Sequence, residues 1–244
     1  MKIHVVGTGP GSLMEMTPRA RAVIEGCEVV AGYGLYLEQI RELTHGKQII
    51  TSGMTGEAER CSSAIHAALE GKSVCVISGG DAGVYGMAGL VLELATPYPE
   101  LSIEVIPGVT AACSAAAVLG APLTHDFAVI SLSDRLTDWA LIEKRLRLAA
   151  HSDFVICLYN PASKARRQHL LRACEVIMEC RPPSTPCGVA QSVGREGECS
   201  KTMRLDELVI FDADMSTTVF IGNSKTQIIN GKLITPRGYG GVDS

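Results

Sequence analysis

The feature that most constrains the fold is a rhythm in the first half of the chain. Short apolar runs end in glycine-rich turns that open onto helical patterns. Residues 3–6 run into Gly7-Thr8-Gly9-Pro10-Gly11, after which Thr17-Pro18 reads as an N-cap and first helical position. Residues 28–31 form a second short strand. A helical pattern over 56–69 stops at Gly71, and residues 74–78 are a continuous apolar run entering Gly79-Gly80-Asp81. A helix over 86–95, a strand over 103–106 ending in Pro107-Gly108 and a small-residue helix over 110–119 follow. Strands that alternate with helices in this way predict a parallel sheet covered on both faces.

Gly120-Ala121-Pro122 interrupts the pattern and marks a candidate hinge, which gives expected domains of 1–120 and 121–244. Beyond it the sequence predicts a strand over 127–132, a helix over 139–149, a strand over 154–158 and a long helix over 162–179. Closely spaced β-like runs follow at 187–193, 201–204, 217–221 and 227–229. The fold class read from this is α/β, mainly parallel in the first domain and mixed in the second.

Composition narrows the function classes. A net charge of −4 gives no electrostatic footprint for nucleic acid. No apolar run reaches membrane-spanning length and no signal peptide is visible, so a cytoplasmic protein is expected, with neither a nucleic-acid nor a membrane partner. Nine cysteines without zinc-knuckle spacing read as reduced thiols, and no metal site is expected. The cluster Lys164, Arg166, Arg167 reads as a solvated helix face, or as a contact for a substrate with several carboxylates.

Familiar nucleotide motifs fail on inspection. Gly7-Thr8-Gly9-Pro10-Gly11 has Ser12 where a dinucleotide fingerprint needs its third glycine, Pro10 removes one N–H, and the second strand ends Val30-Ala31-Gly32 without a ribose-binding acid. Gly71-Lys72-Ser73 follows a helix and precedes a strand, the reverse of a P-loop. The loop from Ser78 to Gly86 lies at the C-terminal end of a buried strand, where open α/β sheets bind ligands. Its glycines allow close backbone approach and Asp81 can accept hydrogen bonds, though a capped turn explains the loop equally well. Thr110 is likewise an N-cap or a ligand contact.

Taken together, Gly7-Thr8-Gly9-Pro10-Gly11 with Leu13 and Met16-Thr17, Gly79-Gly80-Asp81 with Tyr85, and Pro107-Gly108-Val109-Thr110-Ala111 resemble the tetrapyrrole methylases over essentially the whole chain. The second half most resembles the C17-methyltransferases of precorrin-3B and cobalt-factor III. It does so through His125-Asp126-Phe127, Ser131-Leu132-Ser133-Asp134, Leu158-Tyr159-Asn160-Pro161, Gly194-Arg195-Glu196 and the tail around Pro236-Arg237-Gly238-Tyr239. The stretch Arg135-Leu136-Thr137-Asp138 departs from it, an apolar residue at 135 and proline at 138 being expected.

The resemblance implies a two-domain methyltransferase, usually homodimeric, with S-adenosylmethionine in a cleft between the domains and a tetrapyrrole substrate. It implies S-adenosylhomocysteine as product and ring contraction as an associated reaction. By motif match, Pro10, Gly79, Gly80, Asp81, Val84, Tyr85, Thr110, Ala111, Tyr159, Ala190, Thr217 and Thr218 are the cofactor candidates. Acid–base candidates are His125, Asp126, Asp134 and Glu196, although His125 and Asp126 read also as residues that only cap or orient the hinge; Ser131, Ser133, Arg166 and Arg195 are candidates for substrate carboxylates. Two other possibilities are a related methylase of different specificity and a non-catalytic tetrapyrrole carrier.

Overall fold

A computed structural model describes residues 1–53, 55–163 and 167–239. The chain divides into two compact units, Met1–Ala111 and Ala112–Ser244.

The first unit holds β1 (Lys2–Gly7), α1 (Pro18–Gly26), β2 (Val29–Ala31), α2 (Gly34–Gln39), β3 (Gln48–Ile50), α3 (Glu57–Leu69), β4 (Val74–Ser78), α4 (Ala88–Leu94) and β5 (Ser102–Ile106). Its strands make one five-stranded sheet, ordered β3-β2-β4-β1-β5 and parallel throughout. Side chains alternate across it. Val5, Val29, Val74 and Val76 pack with Ala64, Ile65 and Val91 from α3 and α4 on one face. On the other, Val6, Val30, Cys75 and Ile77 meet Ala20 and Ile24 of α1. Burial on both faces is why β4 reads as an unbroken apolar run. The Thr17 hydroxyl accepts the Ala20 N–H at 3.1 Å with Pro18 at the first helical position, as the sequence predicts. Past the end of α3, Gly71 takes a left-handed conformation at φ +90°.

The second unit contains α5 (Ala111–Leu119), β6 (Gly120–Ala121), β7 (Phe127–Ser131), α6 (Trp139–His151), β8 (Val155–Tyr159), α7 (His169–Met178), β9 (Pro186–Gln191), β10 (Cys199–Arg204), α8 (Leu205–Leu208), β11 (Thr217–Ile221), β12 (Gln227–Ile229) and β13 (Lys232–Ile234). A five-stranded mixed sheet runs β10-β9-β11-β8-β7, with β7 and β8 parallel and β11 antiparallel to both β8 and β9. One face packs against α6, α7 and α8 through Ile156, Leu158, Val189 and Val219. The other is covered by α5, whose Ala112, Ala115, Ala116 and Leu119 lie against Cys157, Ala190 and Phe220.

Several expectations shift. The division falls at the start of α5 rather than its end, because the small side chains of α5 complete the second core. The candidate hinge at Gly120-Ala121 is a short strand pairing in parallel with Leu233–Ile234 of β13, within a three-stranded sheet β12-β13-β6. Of the helix expected over 162–179, residues 164–166 lie outside the described residues, and the described helix is His169–Met178. Asp138, where proline was expected, caps α6 by accepting the Ala140 N–H at 3.2 Å, so the departure from the family pattern has a local cause.

Candidate active site

In the first unit three loops leave the C-terminal ends of the adjacent strands β4, β1 and β5, and they meet backbone to backbone. Gly9 and Gly80 exchange hydrogen bonds, Gly9 N–H to Gly80 O at 3.0 Å and Gly80 N–H to Gly9 O at 2.7 Å. Thr8 donates to Ser78 O twice, from its amide at 2.9 Å and its hydroxyl at 3.0 Å. The Ser78 hydroxyl accepts the Met87 N–H at 3.0 Å and so ties β4 to the start of α4.

Glycine is required here by contact. A Cβ on Gly108 would stand 2.2 Å from Gly80 O and 2.7 Å from the Gly7 carbonyl, and one on Gly7 would stand 2.7 Å from Gly108 N. One on Gly79 would enter the Tyr36 ring at 2.3 Å. Asp81 fastens the arrangement: Oδ1 accepts the Gly83 N–H at 2.8 Å and Oδ2 the Gly108 N–H at 2.9 Å.

The rim that results is exposed and apolar. Val84 is 36% and Tyr85 57% exposed, and Tyr85 holds a left-handed backbone at φ 54°, uncommon for an aromatic residue. Pro10 is buried and Thr110 and Ala111 are half-buried. The three loops, residues 7–16, 78–87 and 107–111, contain no lysine or arginine. An edge built of close-packed glycines, apolar side chains and two carboxylates, Asp81 and Glu15, without cations, suits a nucleoside carrying positive charge and disfavours a polyphosphate. S-Adenosylmethionine fits that description.

In the second unit the C-terminal ends of β7, β8 and β9 and the start of β11 share one edge of the mixed sheet. Asn160 and Ser192 follow β8 and β9 in left-handed conformations, φ 53° and 51°. The Ser131 hydroxyl oxygen accepts Asn160 Nδ2–H at 2.8 Å and the Ser133 N–H at 3.2 Å. Asp134 follows, with Oδ2 at 3.5 Å from His169 Nε2. The Tyr159 hydroxyl accepts the Ala112 N–H at 2.6 Å and so caps the first turn of α5. Thr217 is buried with its hydroxyl committed, donating to Asp214 at 2.7 Å and accepting from Gln191 at 3.0 Å. Thr218 is buried opposite Ala190 in the β11–β9 ladder, and the Ala190 side chain lies in the core.

The four acid–base candidates are not brought together. Asp134 stands beyond the C-terminal end of β7, whereas His125 and Asp126 precede its first residue, so the whole strand, about 16 Å long at some 3.3 Å per residue, lies between them. There the Asp126 N–H donates to His125 Nδ1 at 2.9 Å, and both side chains are exposed. Glu196 lies on the loop after β9, at the same edge as Asp134, and is exposed. Within that loop Glu198 accepts the Gly194 N–H at 2.7 Å and Arg195 is half-buried. Arg166 lies outside the described residues. Two residues that sequence reasoning passed over, Asn160 and His169, complete the Ser131–Asp134 cluster. Asn160 carried a signal, because it stands in one of the family-like motifs; His169 had none. Among the described residues no cluster of His, Cys, Asp or Glu could hold a metal ion.

Residues 2–209 match the family model of the Tetrapyrrole (Corrin/Porphyrin) Methylases. The chain is 46% identical over 238 residues to a probable cobalt-factor III C(17)-methyltransferase of Salmonella typhimurium, covering 97% of this chain and 99% of that protein. It is 41% identical over 249 residues to a precorrin-3B C(17)-methyltransferase of Sinorhizobium sp, covering 98% of each. A cobalt-factor III methyltransferase of Priestia megaterium is 44% identical over 243 residues, of which this chain spans 45%. The crystal structure of the methyltransferase CobJ superposes with a TM-score of 0.89 at 35% identity, covering 96% of this chain and 99% of that one. A Thermus thermophilus uroporphyrin-III C-methyl transferase complexed with S-adenosyl homocysteine shares the fold, with a TM-score of 0.73 at 22% identity. The chain is a methyltransferase and belongs to the tetrapyrrole methylase family.

Proposed function

We propose that this protein methylates C17 of a precorrin-3B or cobalt-factor III macrocycle from S-adenosylmethionine, with the associated ring contraction, in cobalamin biosynthesis. The observation that carries the reading is end-to-end likeness to methyltransferases named for those two macrocycles. The geometry supports a division of labour. The glycine edge of the first unit contacts the methyl donor through Gly79, Gly80, Val84, Tyr85, Thr110 and Ala111, with Asp81 holding the loops in register and Pro10 shaping the first of them.

When bound, the donor supplies an electrophilic methyl group on a sulfonium, so an enamine-like ring carbon needs alignment more than it needs a protein nucleophile. Ser131, Ser133, Arg195 and Arg166 bind the acidic side chains of the macrocycle, where arginine pairs bidentately with carboxylates. Asp134 and Glu196 are the acid–base candidates that position supports, since both share an edge with these binding residues, and Asp134 has the imidazole of His169 behind it. His125 and Asp126, at the far end of β7, are proposed to orient that end of the strand instead. The family likeness supports a cytoplasmic homodimer, and light scattering on the purified protein tests the dimer. Among the described residues no helix is long and apolar enough to cross a membrane.

The test is anaerobic incubation with S-adenosylmethionine and each macrocycle, followed by mass and absorbance spectra. One added methyl with the spectrum of a contracted ring is expected from one of the two. No methyl gain with either would return the protein to the other specificities of the family.

A further inference from the structure

His169 is the first residue of α7 and only 8% exposed. Its Nδ1 lies 2.8 Å from the Leu132 carbonyl oxygen. A carbonyl only accepts, so Nδ1 carries the proton and Nε2 is the ring nitrogen left to gain or lose one. The ring is held in place. Trp139 lies against it at 4.5 Å between centroids, Trp139 Nε1–H donates to Glu143, and the Arg172 guanidinium sits 4.4 Å over the indole and 3.2 Å from Glu143. Glu143 and Arg172 form their own ion pair behind the indole, and Asp134 is the carboxylate that Nε2 faces.

That facing distance, 3.5 Å to Asp134 Oδ2, is ion-pair reach and slightly long for a hydrogen bond. Asp134 is 39% exposed, so it can reach solvent or a ligand on one side and the buried imidazole on the other. A backbone-pinned imidazole behind an accessible carboxylate is the arrangement of a proton relay.

We propose that His169 is a positioning residue for Asp134 that takes up, through it, the proton the macrocycle sheds on methylation. The role rests on the methyltransferase reading above. In the transfer, the electron pair of the ring carbon forms the new C–CH3 bond and the S–CH3 bond breaks with its pair left on sulfur. The positive charge of the sulfonium passes to the macrocycle, which returns to its former charge by releasing one proton. Asp134 accepts that proton and Nε2 of His169 receives it in turn, leaving Asp134 ionised at the edge.

The decisive variant is His169→Asn. Its amide nitrogen replaces Nδ1, so the bond to Leu132 persists while the group facing Asp134 is lost. His169→Asn and Asp134→Asn are each expected to lower kcat by about 10²-fold with little change in KM, the signature of an interaction used in the transition state. The double variant should be no slower than the slower single one, because the two act as a unit. A His169→Asn enzyme within about threefold of wild-type kcat, or fully additive losses, would reduce His169 to an anchor for Leu132 and overturn the proposal.

Should His169→Asn not fold, nitrogen NMR of the imidazole in the wild type and in Asp134→Asn decides. A proton on Nδ1, with an Nε2 resonance that moves when Asp134 is changed, is expected; an Nε2 resonance indifferent to Asp134 would overturn the relay. Absence of methyl transfer by the wild-type chain itself would remove the functional reading and this role together, and is told apart because the control fails rather than the variants.

Discussion

Asp81 accepts the backbone N–H of Gly108 at 2.9 Å, so one side chain from the loop after β4 holds the turn after β5 across the intervening strand β1. Its other oxygen closes its own loop on Gly83 at 2.8 Å. A carboxylate offers about four acceptor positions, so two remain for a ligand. Asp81→Asn turns one of those acceptors into a donor facing an N–H. Hydrogen bonds to a charged group contribute about 1.5–3 kcal/mol, so a melting point lower by several degrees is expected together with at least tenfold weaker binding of S-adenosylhomocysteine. Calorimetry on the variant measures both; wild-type affinity at a lowered melting point would restrict Asp81 to a structural role.

The glycine contacts make a sharper prediction. Gly108→Ala would put a methyl 2.2 Å from Gly80 O, a distance no side-chain rotation can relieve, because a Cβ is fixed by its own backbone and its partner is a backbone carbonyl. The tips of β1, β4 and β5 must then separate, and S-adenosylhomocysteine binding should be lost. Gly89→Ala is the control. Its Cβ would meet nothing within 4 Å, and it lies in α4, where alanine in place of glycine stabilises a helix by about 0.5–1 kcal/mol. Thermal melts and ligand titration on the pair should therefore move in opposite directions.

What the sequence disclosed depended on how local the cause was. β4 and α1 were legible because a continuous apolar run and a Thr-Pro cap are local signals. β3 was missed: it is three residues long, two of them exposed, and carries no turn residue of its own. β6 was read as a hinge because its partner, β13, lies far along the chain. For the site, the glycine loops could be placed from the sequence, but the direction of β7 could not. His125 and Asp126 look close to Asp134 along the chain, and a five-residue strand separates them in space. His169 gave no sign at all, since a lone histidine on an apolar helix face reads as core until the Leu132 carbonyl and Asp134 are seen beside it.

Arg181 carries a structural prediction for the second unit. It is 6% exposed, and its guanidinium donates to the carbonyls of Ala149, Ala150, Phe154 and Gly222, joining the end of α6 to the strand ends beneath it. Burial pulls its pKa below the usual arginine value, with the Asp153 carboxylate opposing that fall. Arg181→Lys keeps the charge but cannot span a fan of carbonyls with one ammonium group. Breaking such a buried network costs about 3–5 kcal/mol, so either Arg181→Lys or Arg181→Met should lower the urea midpoint strongly. A midpoint within error of the wild type would show the cage to be dispensable.

Acid stability should depend on two carboxylates of the same unit. Partial burial pushes both Asp153 and Asp214 upward, but their hydrogen bonds outweigh it. Asp153 accepts the Ser224 N–H at 2.8 Å and its hydroxyl at 2.6 Å, with the charges of Arg181 and Lys225 assisting. Asp214 accepts the hydroxyls of Ser216 and Thr217, each at 2.7 Å, and the Ser216 N–H at 2.9 Å. Both pKa values therefore lie below the ordinary aspartate value in the folded protein. A depressed folded pKa gives stability that is fully present above the unfolded value, about 3.9, and is lost as pH falls through the folded one. Melting temperature should accordingly fall as pH drops below about 4. Asp153→Asn and Asp214→Asn should melt below the wild type at neutral pH and converge on it as the solution is acidified. A gap that stays constant across that range would mean that these hydrogen bonds do not distinguish the ionised carboxylate from the neutral one.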